Sequence, residues 1–332
     1  MKRWGIILGS LGAVPILALI LFYFWASSGR YPQETELVTY DTSTPPEKAD
    51  GVYRVVTYNI GYLSGLTNNV AVERSESLFQ ENQQTAIEGL KELEPDIIAL
   101  QEVDLASRRS FRVNQVAEVA KGVGLEYGAI AVNWDKNYVP FPYLPLSAHF
   151  GRILSAQAVV SHHPIQNQQR IVLEEVENKP FFYKAFYIDR LAQITEITIN
   201  NRPLTLINVH LEAFEENTRR QQTEFLQELL SRYLDQTPVI LLGDFNSGLV
   251  GTEENDPTIK LLLDHPQLQP AIPEKAQTNA KQFTFPSDDP VAKLDYIFYT
   301  PDSIKLREAR VVEAAKQASD HLPVMMEWEF LP

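Results

Sequence analysis

The stretch VILLGDFNSG, residues 239–248, sets an aspartate and an asparagine two positions apart at the end of an apolar run. Val239 to Leu242 have the continuous apolar character of a buried strand. Gly243 is expected to turn the chain there, leaving Asp244 and Asn246 at the strand's C-terminal mouth, where α/β sheets bind ligands. Read alone, Gly-Asp-Phe-Asn also fits a polar turn closing a strand. The pattern recurs along the chain. Asn59 ends YRVVTYN, Glu102 ends DIIALQE, His210 ends LTLINVH, and Asp320 and His321 immediately precede PVMMEWEF. If these mouths share one edge of a core, they gather carboxylates, carboxamides and imidazoles in a composition that packing alone does not require. Such an oxygen-rich set suits a hard cation, Mg²⁺ or Mn²⁺. Glu102 is its foremost ligand, and Asn59 offers a neutral oxygen to the metal or an amide donor to an anion.

The elements that must position these residues alternate in type. YRVVTYNI (53–60) and DIIALQEV (96–103) read as strands around a helical pattern over 85–93, followed by a second helical pattern over 111–124. QAVVSHHPI, AQITEITI and PLTLINVHL are strand-like, and TRRQQTEFLQELLSRYL (218–234) is an amphipathic helix that Pro238 separates from the 239–242 strand. LDYIFYT (294–300) and PVMMEWEF (323–330) complete the set. The alternation predicts one large α/β domain over residues 52–332.

Ahead of it, the run from Trp4 to Trp25 carries no charge. At about 1.5 Å per residue it is long enough to cross a hydrocarbon core of roughly 30 Å. Residues 1–25 are therefore expected to form a transmembrane anchor. The competing reading, a cleaved signal peptide, fits less well because the run is long and ends in the bulky aromatics Tyr23, Phe24 and Trp25. Lys2 and Arg3 before the run, with Glu34 and Glu36 after it, orient a single-pass protein with its N-terminus in the cytoplasm and its domain outside. Residues 26–51 are polar and interrupted by Pro32, Pro45 and Pro46, which predicts an extended linker. The chain has no cysteine, so disulfides, thiolate nucleophiles and sulfur-ligated zinc are excluded. Its net charge of -14, from 43 acidic and 29 basic residues, disfavours broad electrostatic capture of nucleic acid.

TYNI, LQEVD, NVHLEAF, LLGDFNS, KLDYIFYT and SDHLP occur in this order from about Val55 to Trp328. In that order they resemble the endonuclease/exonuclease/phosphatase superfamily, which holds DNase I-like nucleases, sphingomyelinases and inositol polyphosphate phosphatases. The resemblance implies a four-layer α/β sandwich, two mixed β-sheets face to face with helices outside, and a divalent-metal site at one rim. It implies that Asp320 helps Glu102 and Asn59 bind the metal. His321 would contact the scissile phosphate or act as a base, and Asp295 would orient its ring. Asp244 would orient or deprotonate the attacking water, and Asn246 would donate to the phosphoryl oxygens. The histidine at 210 is similar to that of the DNase-like, sphingomyelinase-like and phosphatase-like branches, whereas apurinic-endonuclease-like branches tend to have asparagine. Arg190, in YIDRLAQITEI, resembles the phosphate-contacting arginine, although a surface ion pair would also suit it.

Two departures stand out. VVSHHPI replaces the Leu-Ser-Arg seen before a proline in many relatives, and His162 and His163 are read as loop residues rather than a second metal site. The family's further phosphate-contacting tyrosine or histidine has no single counterpart between Glu102 and His210, where Tyr127, Tyr183 and Tyr187 are all candidates. Residues 133–151, rich in aromatics and proline, fit either a substrate loop or packing over a sheet edge.

Together these features point to a membrane-tethered, metal-dependent phosphodiesterase acting outside the cytoplasm on a phospholipid headgroup or related phosphodiester, with lipid favoured over nucleic acid and no obligate protein partner. The domain also looks like the catalytic domain linked to GPI-anchor lipid remodelling in fungi, a likeness that supports lipid by analogy. An extracytoplasmic nuclease is the alternative, for which a basic track beside the site is the expected mark. A non-catalytic tethered binding domain is a third, opposed by the intact polar set. The anchor reading predicts that a reporter fused to the C-terminus will be active only outside the cytoplasm, and a cytoplasmic signal would overturn the topology.

Overall fold

The computed structural model describes the backbone of residues 2–42, 51–252, 254 and 257–332, with side chains from residue 14 onward. Its two sheets are built from strands that need both faces covered. In β2 (Val52–Asn59), Tyr53 and Val55 face the space between the sheets, while Val56 and Tyr58 face the outer helices. In β3 (Ile97–Asp104), Ile97 and Ala99 point inward and Ile98 and Leu100 outward, so the strand reads as continuously apolar rather than alternating.

β2 and β3 are parallel, and α2 (Glu76–Lys91) crosses between them. This helix starts well before the expected 85–93 because Ser75 caps it, its Oγ accepting from the Leu78 N–H at 3.3 Å. The polar Gln and Asn turns between Phe79 and Ala86 conceal its apolar stripe in the sequence. α3 (Gln115–Val123) packs beside it, capped by Asn114 and ended by Gly124 at φ 97°. The arrangement is repeated in the second sheet. β8 (Arg202–His210) and β9 (Val239–Asp244) are parallel, and α5 (Glu216–Leu230) makes the crossover, burying Leu226, Leu229 and Leu230.

The remaining strands pair antiparallel around these two cores. The first sheet runs β1 (Thr35–Thr39), β4 (Tyr127–Val139), β5 (Gly151–Ser161), β3, β2, β13 (Val324–Phe330), β12 (Ile304–Val311). The second runs β10 (Gln269–Pro270), β11 (Asp295–Tyr299), β9, β8, β7 (Leu191–Ile199), β6 (Ile165–Val172). Between them lies an apolar layer that includes Val55, Leu206, Leu242, Ile297, Met326 and Trp328. The result is a helix–sheet–sheet–helix sandwich.

Several expectations are corrected. Within the expected linker, residues 35–39 form an edge strand on β4, since Leu37 and Val38 sit in an extended T-E-L-V-T segment whose backbone pairs with residues 127–131. Residues 43–50 of the linker lie outside the described residues. Residues 133–139 belong to β4 rather than to a loop, so the connection is confined to 140–150. α1 (Lys2–Ser27) is one helix of 26 residues. Among the described side chains, which take in only residues 14–27 of α1, no helix is long and apolar enough to cross a membrane. A one-turn helix, α4 (Phe181–Lys184), precedes β7.

Gly243 also acts differently from expectation. The strand does not turn there; β9 continues through Asp244, with Gly243 opposite Val209 and Tyr296. A Cβ at this position would lie 1.9 Å from the Val209 carbonyl oxygen, and φ is +140°. Only glycine lets β9 approach β8 closely enough to hold Asp244 in register with His210. Gly243→Ala should therefore cost about 2–4 kcal/mol in chemical denaturation. A loss of a few tenths would show that the strands can separate without penalty.

Candidate active site

Because β2, β3, β8 and β9 are the parallel strands, their C-terminal ends emerge at one rim, carrying Asn59, Glu102, His210 and Asp244. β11 runs antiparallel to β9 and begins at that rim, where Asp295 pairs with Asp244. β13 runs antiparallel to β2, so the residues just before it, Asp320 and His321, arrive there too, and the Ser319 hydroxyl holds the Asn59 carbonyl at 2.7 Å. The rim opens into a cleft of about 570 Å³. Glu102, His210, Asp244, Asn246, Asp320 and His321 line it, while Asn59, Arg190 and Asp295 stand behind them, buried.

His321 Nδ1 lies 2.9 Å from Asp295 Oδ2. Burial alone would lower the imidazole pKa, but the carboxylates of Asp295 and Asp244 hold it well above the ordinary value of 6.5. The ring therefore carries a proton on each nitrogen, and Nε2 faces Asp244 Oδ2 at 3.9 Å. Asp244 is fixed by the Asn59 amide, which donates to Oδ2 at 2.9 Å, and by the Asn246 N–H, which donates to Oδ1 at 2.9 Å. Its pKa is pushed up to about 7, first by burial and then by Asp295, against the opposing pull of His321. A carboxylate with that affinity for protons is suited to accept one from water near neutral pH.

Across the cleft, Asn68 donates its amide to Glu102 Oε2 at 3.0 Å and to both Asp320 oxygens at 3.2 Å. Burial raises the Glu102 pKa, and the Asp320 charge raises it further. An amide inserted between two carboxylates marks a place where positive charge relieves repulsion, and the surrounding oxygen donors fit Mg²⁺ or Mn²⁺. A β-bulge aims Glu102 here. The β3–β5 register shifts between Leu100 and Val103, and Glu102 takes φ 52°, turning its side chain toward the cleft while Gln101 points between the sheets. A second trio, Asp244, Asp295 and His321, has ligand atoms within 4.8 Å of one another. An ion bound there would have to displace the His321–Asp295 hydrogen bond, so the Glu102–Asp320 side is the better fit.

Three predicted residues already have partners within the protein. Asn59 faces Asp244 and accepts from the Gly61 N–H at 3.0 Å, so it orients the carboxylate rather than reaching the Glu102–Asp320 gap. Arg190 is buried, not part of a surface pair; its Nη1 donates to His210 Nε2 at 2.6 Å and its Nε lies 3.4 Å from Glu212. Since guanidinium can only donate, the His210 proton sits on Nδ1. Burial and the Arg190 charge lower the His210 pKa, and the ring is neutral. The Asn246 side-chain amide donates to the Leu211 carbonyl at 3.0 Å, and its φ of 50° is a conformation asparagine tolerates.

Of the three tyrosines, Tyr187 reaches this network, its hydroxyl 2.9 Å from Glu212, with Tyr183 stacked on it. Tyr127 pairs with Ser161 at the opposite end of the sheet, next to His162 and His163. Sequence reasoning missed Asn68, Glu212 and Phe285, whose ring lies 4.9 Å from that of His321. Glu212, inside NVHLEAF two positions beyond His210, was detectable from its motif; Asn68 sits in a polar loop with no such signal.

The profile of the Endonuclease/Exonuclease/phosphatase family matches residues 56–321. No curated protein matches the chain. Among solved structures, an endonuclease/exonuclease/phosphatase from Beutenbergia cavernae DSM 12333 is similar with a TM-score of 0.59 at 18% identity, covering 84% of this chain and 72% of that one. The human Nocturnin catalytic domain with bound sulfate gives 0.59 at 18% identity over 90% and 98% of the two chains. Truncated Caenorhabditis elegans TDP2 gives 0.53 at 17% over 84% and 97%. At these identities the likenesses establish the shared fold.

In the metal-free protein, the raised His321 pKa contributes stability that is complete below about pH 6.5, the unfolded imidazole value, and is lost as pH rises through the folded value. Asp295→Asn should lower the His321 titration midpoint, followed by ring-proton NMR in chelator, and should shrink that pH-dependent stability. An unchanged midpoint would mean that Asp295 does not hold the proton.

Proposed function

Because the chain belongs to the endonuclease/exonuclease/phosphatase family, we propose that it is a divalent-metal-dependent phosphoesterase that cleaves a membrane phosphodiester outside the cytoplasm, held to the bilayer by α1. The observation that carries this reading is the meeting, in one cleft, of the Asp295–His321 pair, the proton-accepting Asp244 and the Glu102–Asn68–Asp320 bridge.

Glu102 and Asp320 would hold Mg²⁺ or Mn²⁺, which when bound neutralises phosphoryl charge and stabilises the departing oxygen. The protein's own groups do the rest. Asp244, aligned by Asn59, takes a proton as the water oxygen bonds to phosphorus. The His321 imidazolium, steadied by Asp295, donates to a phosphoryl oxygen on which negative charge grows. The ester P–O bond breaks, and the leaving alkoxide is protonated from solvent or from the site. Arg190, behind His210, adds a buried positive charge that acts on Glu102.

The cleft lining supports lipid over nucleic acid. Among the described residues lining it, Arg219 is the only arginine or lysine, and its guanidinium is bound to Glu254 at 2.9 Å. A nuclease is expected to present a basic track. At the mouth, Phe214 is 74% exposed, an apolar surface suited to the glycerol or acyl portion of a lipid.

The test is kcat/KM of the full chain for dispersed phospholipids, inositol phosphates, and single- and double-stranded DNA at one ionic strength, with and without Mg²⁺. Phospholipid should be preferred, and Glu102→Ala should lower turnover by about a thousandfold or more in a protein that still folds. Preference for DNA would replace the lipid reading with the nuclease one. Near-normal turnover of Glu102→Ala at saturating Mg²⁺ would remove Glu102 from the metal site.

A further inference from the structure

The chain's most exposed apolar side chains outside α1 fall largely into two segments, and both collar the end of that helix. In the β4–β5 connection, residues 139–148 carry no charge, and Tyr143, Leu144 and Leu146 are 71%, 74% and 68% exposed. In α4, Phe181 and Phe182 are 74% and 55% exposed. Surface loops are ordinarily polar, and grouped aromatic and leucine side chains of this exposure mark a surface that meets something apolar.

The two segments reach α1 from different sides. Tyr23 packs edge-on against Phe181 and Phe186, with ring centroids 6.0 and 5.8 Å away. Phe22, one residue earlier, packs edge-on against Tyr138 at 5.8 Å. Tyr138 OH is 2.7 Å from His149 Nδ1, and His149 Nε2 is 3.3 Å from the Tyr143 carbonyl. The helix end is itself fastened to the domain. Asn137 donates to the Trp25 carbonyl at 2.9 Å, and the Arg30 and Tyr31 N–H groups both donate to Asp135 Oδ2 at 2.7 Å. The collar therefore has a defined height on the helix, at residues 22–23. At about 1.5 Å per residue that is roughly 3–5 Å deeper than Trp25, the last ring of the aromatic belt.

We infer that this collar is a membrane-docking surface: Tyr143, Leu144, Leu146, Phe181 and Phe182 enter the headgroup–acyl boundary of the bilayer that α1 spans and hold the domain against it. The occupant is lipid because the collar continues the surface of α1, whose Val14, Leu17, Leu19 and Leu21 are all more than half exposed and need an apolar solvent. It also connects to chemistry. α4 leads within a few residues to Tyr187 and Arg190, which contact Glu212 and His210 beside the cleft. Docking α4 in the interface places the reaction site beside its substrate's headgroup. The inference rests on reading α1 as the anchor, and the experiment separates the two.

The chain lacks cysteine, so Val14→Cys, Leu144→Cys, Phe181→Cys and Glu228→Cys each accept one environment-sensitive fluorophore. The full chain is reconstituted in phosphatidylcholine vesicles with or without nitroxide-bearing phospholipid. Labels at 14, 144 and 181 should lose about half or more of their emission to the nitroxide, while the label at exposed Glu228, on α5, loses little. Quenching at 14 but not at 144 and 181 overturns the docking surface and leaves the anchor standing. No quenching at 14 overturns the anchor and the docking surface with it. Apolar-shifted emission at 144 and 181 without nitroxide quenching, as a second copy of the chain covering the collar would produce, also overturns the inference.

Discussion

Glu102, Asp244, Asp295 and Asp320 converge at one rim, Asp244 and Asp295 fully buried and Glu102 and Asp320 largely so at the cleft wall, and each carboxylate shielded from water in this way costs several kcal/mol unless it is matched. The surroundings are arranged to meet that cost. Asn59 and the Asn246 backbone satisfy Asp244, His321 satisfies one oxygen of Asp295, and a single amide from Asn68 is shared between Glu102 and Asp320. The match is incomplete. Asp295 Oδ1 is buried without a partner, and burial holds both Glu102 and Asp244 above the usual carboxylate range. A cleft with this surplus of acidic oxygen has the electrostatic character of a cation site, and the structure is best understood as scaffolding that keeps the surplus in place.

That scaffolding works through register. Each sheet has one parallel pair joined by a crossover helix, so four strand ends meet at one rim, but their relative height depends on how the sheets face one another. A buried amide cluster fixes it. Gln101 Nε2 donates to Asn208 Oδ1 at 2.7 Å, Asn208 Nδ2 donates to the Leu100 carbonyl at 3.1 Å, and Gln157 Nε2 donates to the Asn208 carbonyl at 3.1 Å. Glu102 follows Gln101 directly and His210 lies two residues beyond Asn208, so a slip between the sheets would separate the Glu102 carboxylate from the imidazole. Directional bonds set this alignment in a way that the apolar layer between the sheets, which tolerates sliding, does not.

How much of this was legible in the sequence follows from the same physics. Parallel strands covered on both faces advertise themselves as unbroken apolar runs, and polar residues at their ends are conspicuous, which is why Asn59, Glu102, His210 and Asp244 could be singled out. Asp320 and His321 stood out as polar residues directly before the last apolar run, but their roles, and Asp295 altogether, needed the family resemblance. What escaped depends on contacts between segments distant in sequence. Asn68 lies in a loop whose composition resembles any other, the bulge that turns Glu102 exists only against β5, and Gly243 looks like a turn residue until the Val209 carbonyl is set beside it. β1 was misread for the same reason, and Arg190 did not disclose that it would be buried against His210 and Glu212, since short segments do not reveal which backbone or ring will cover them.

The two imidazoles at the rim illustrate how position assigns role. His210 and His321 share a residue type and a degree of burial, yet burial and the Arg190 guanidinium leave His210 neutral, while Asp295 and Asp244 overcome burial and keep His321 charged. Neutral His210 lies 3.7 Å from Glu102 and 3.5 Å from Asp244 without cancelling the charge of either. Positive charge beside Asp244 is thus supplied by His321, while Arg190, behind His210, acts on Glu102, and between Glu102 and Asp320 lies only an amide. In the reading proposed above, the asymmetry gives the cleft a proton-transfer side at Asp244 and His321 and a cation side at Glu102 and Asp320, the division that hydrolysis of a phosphate ester requires.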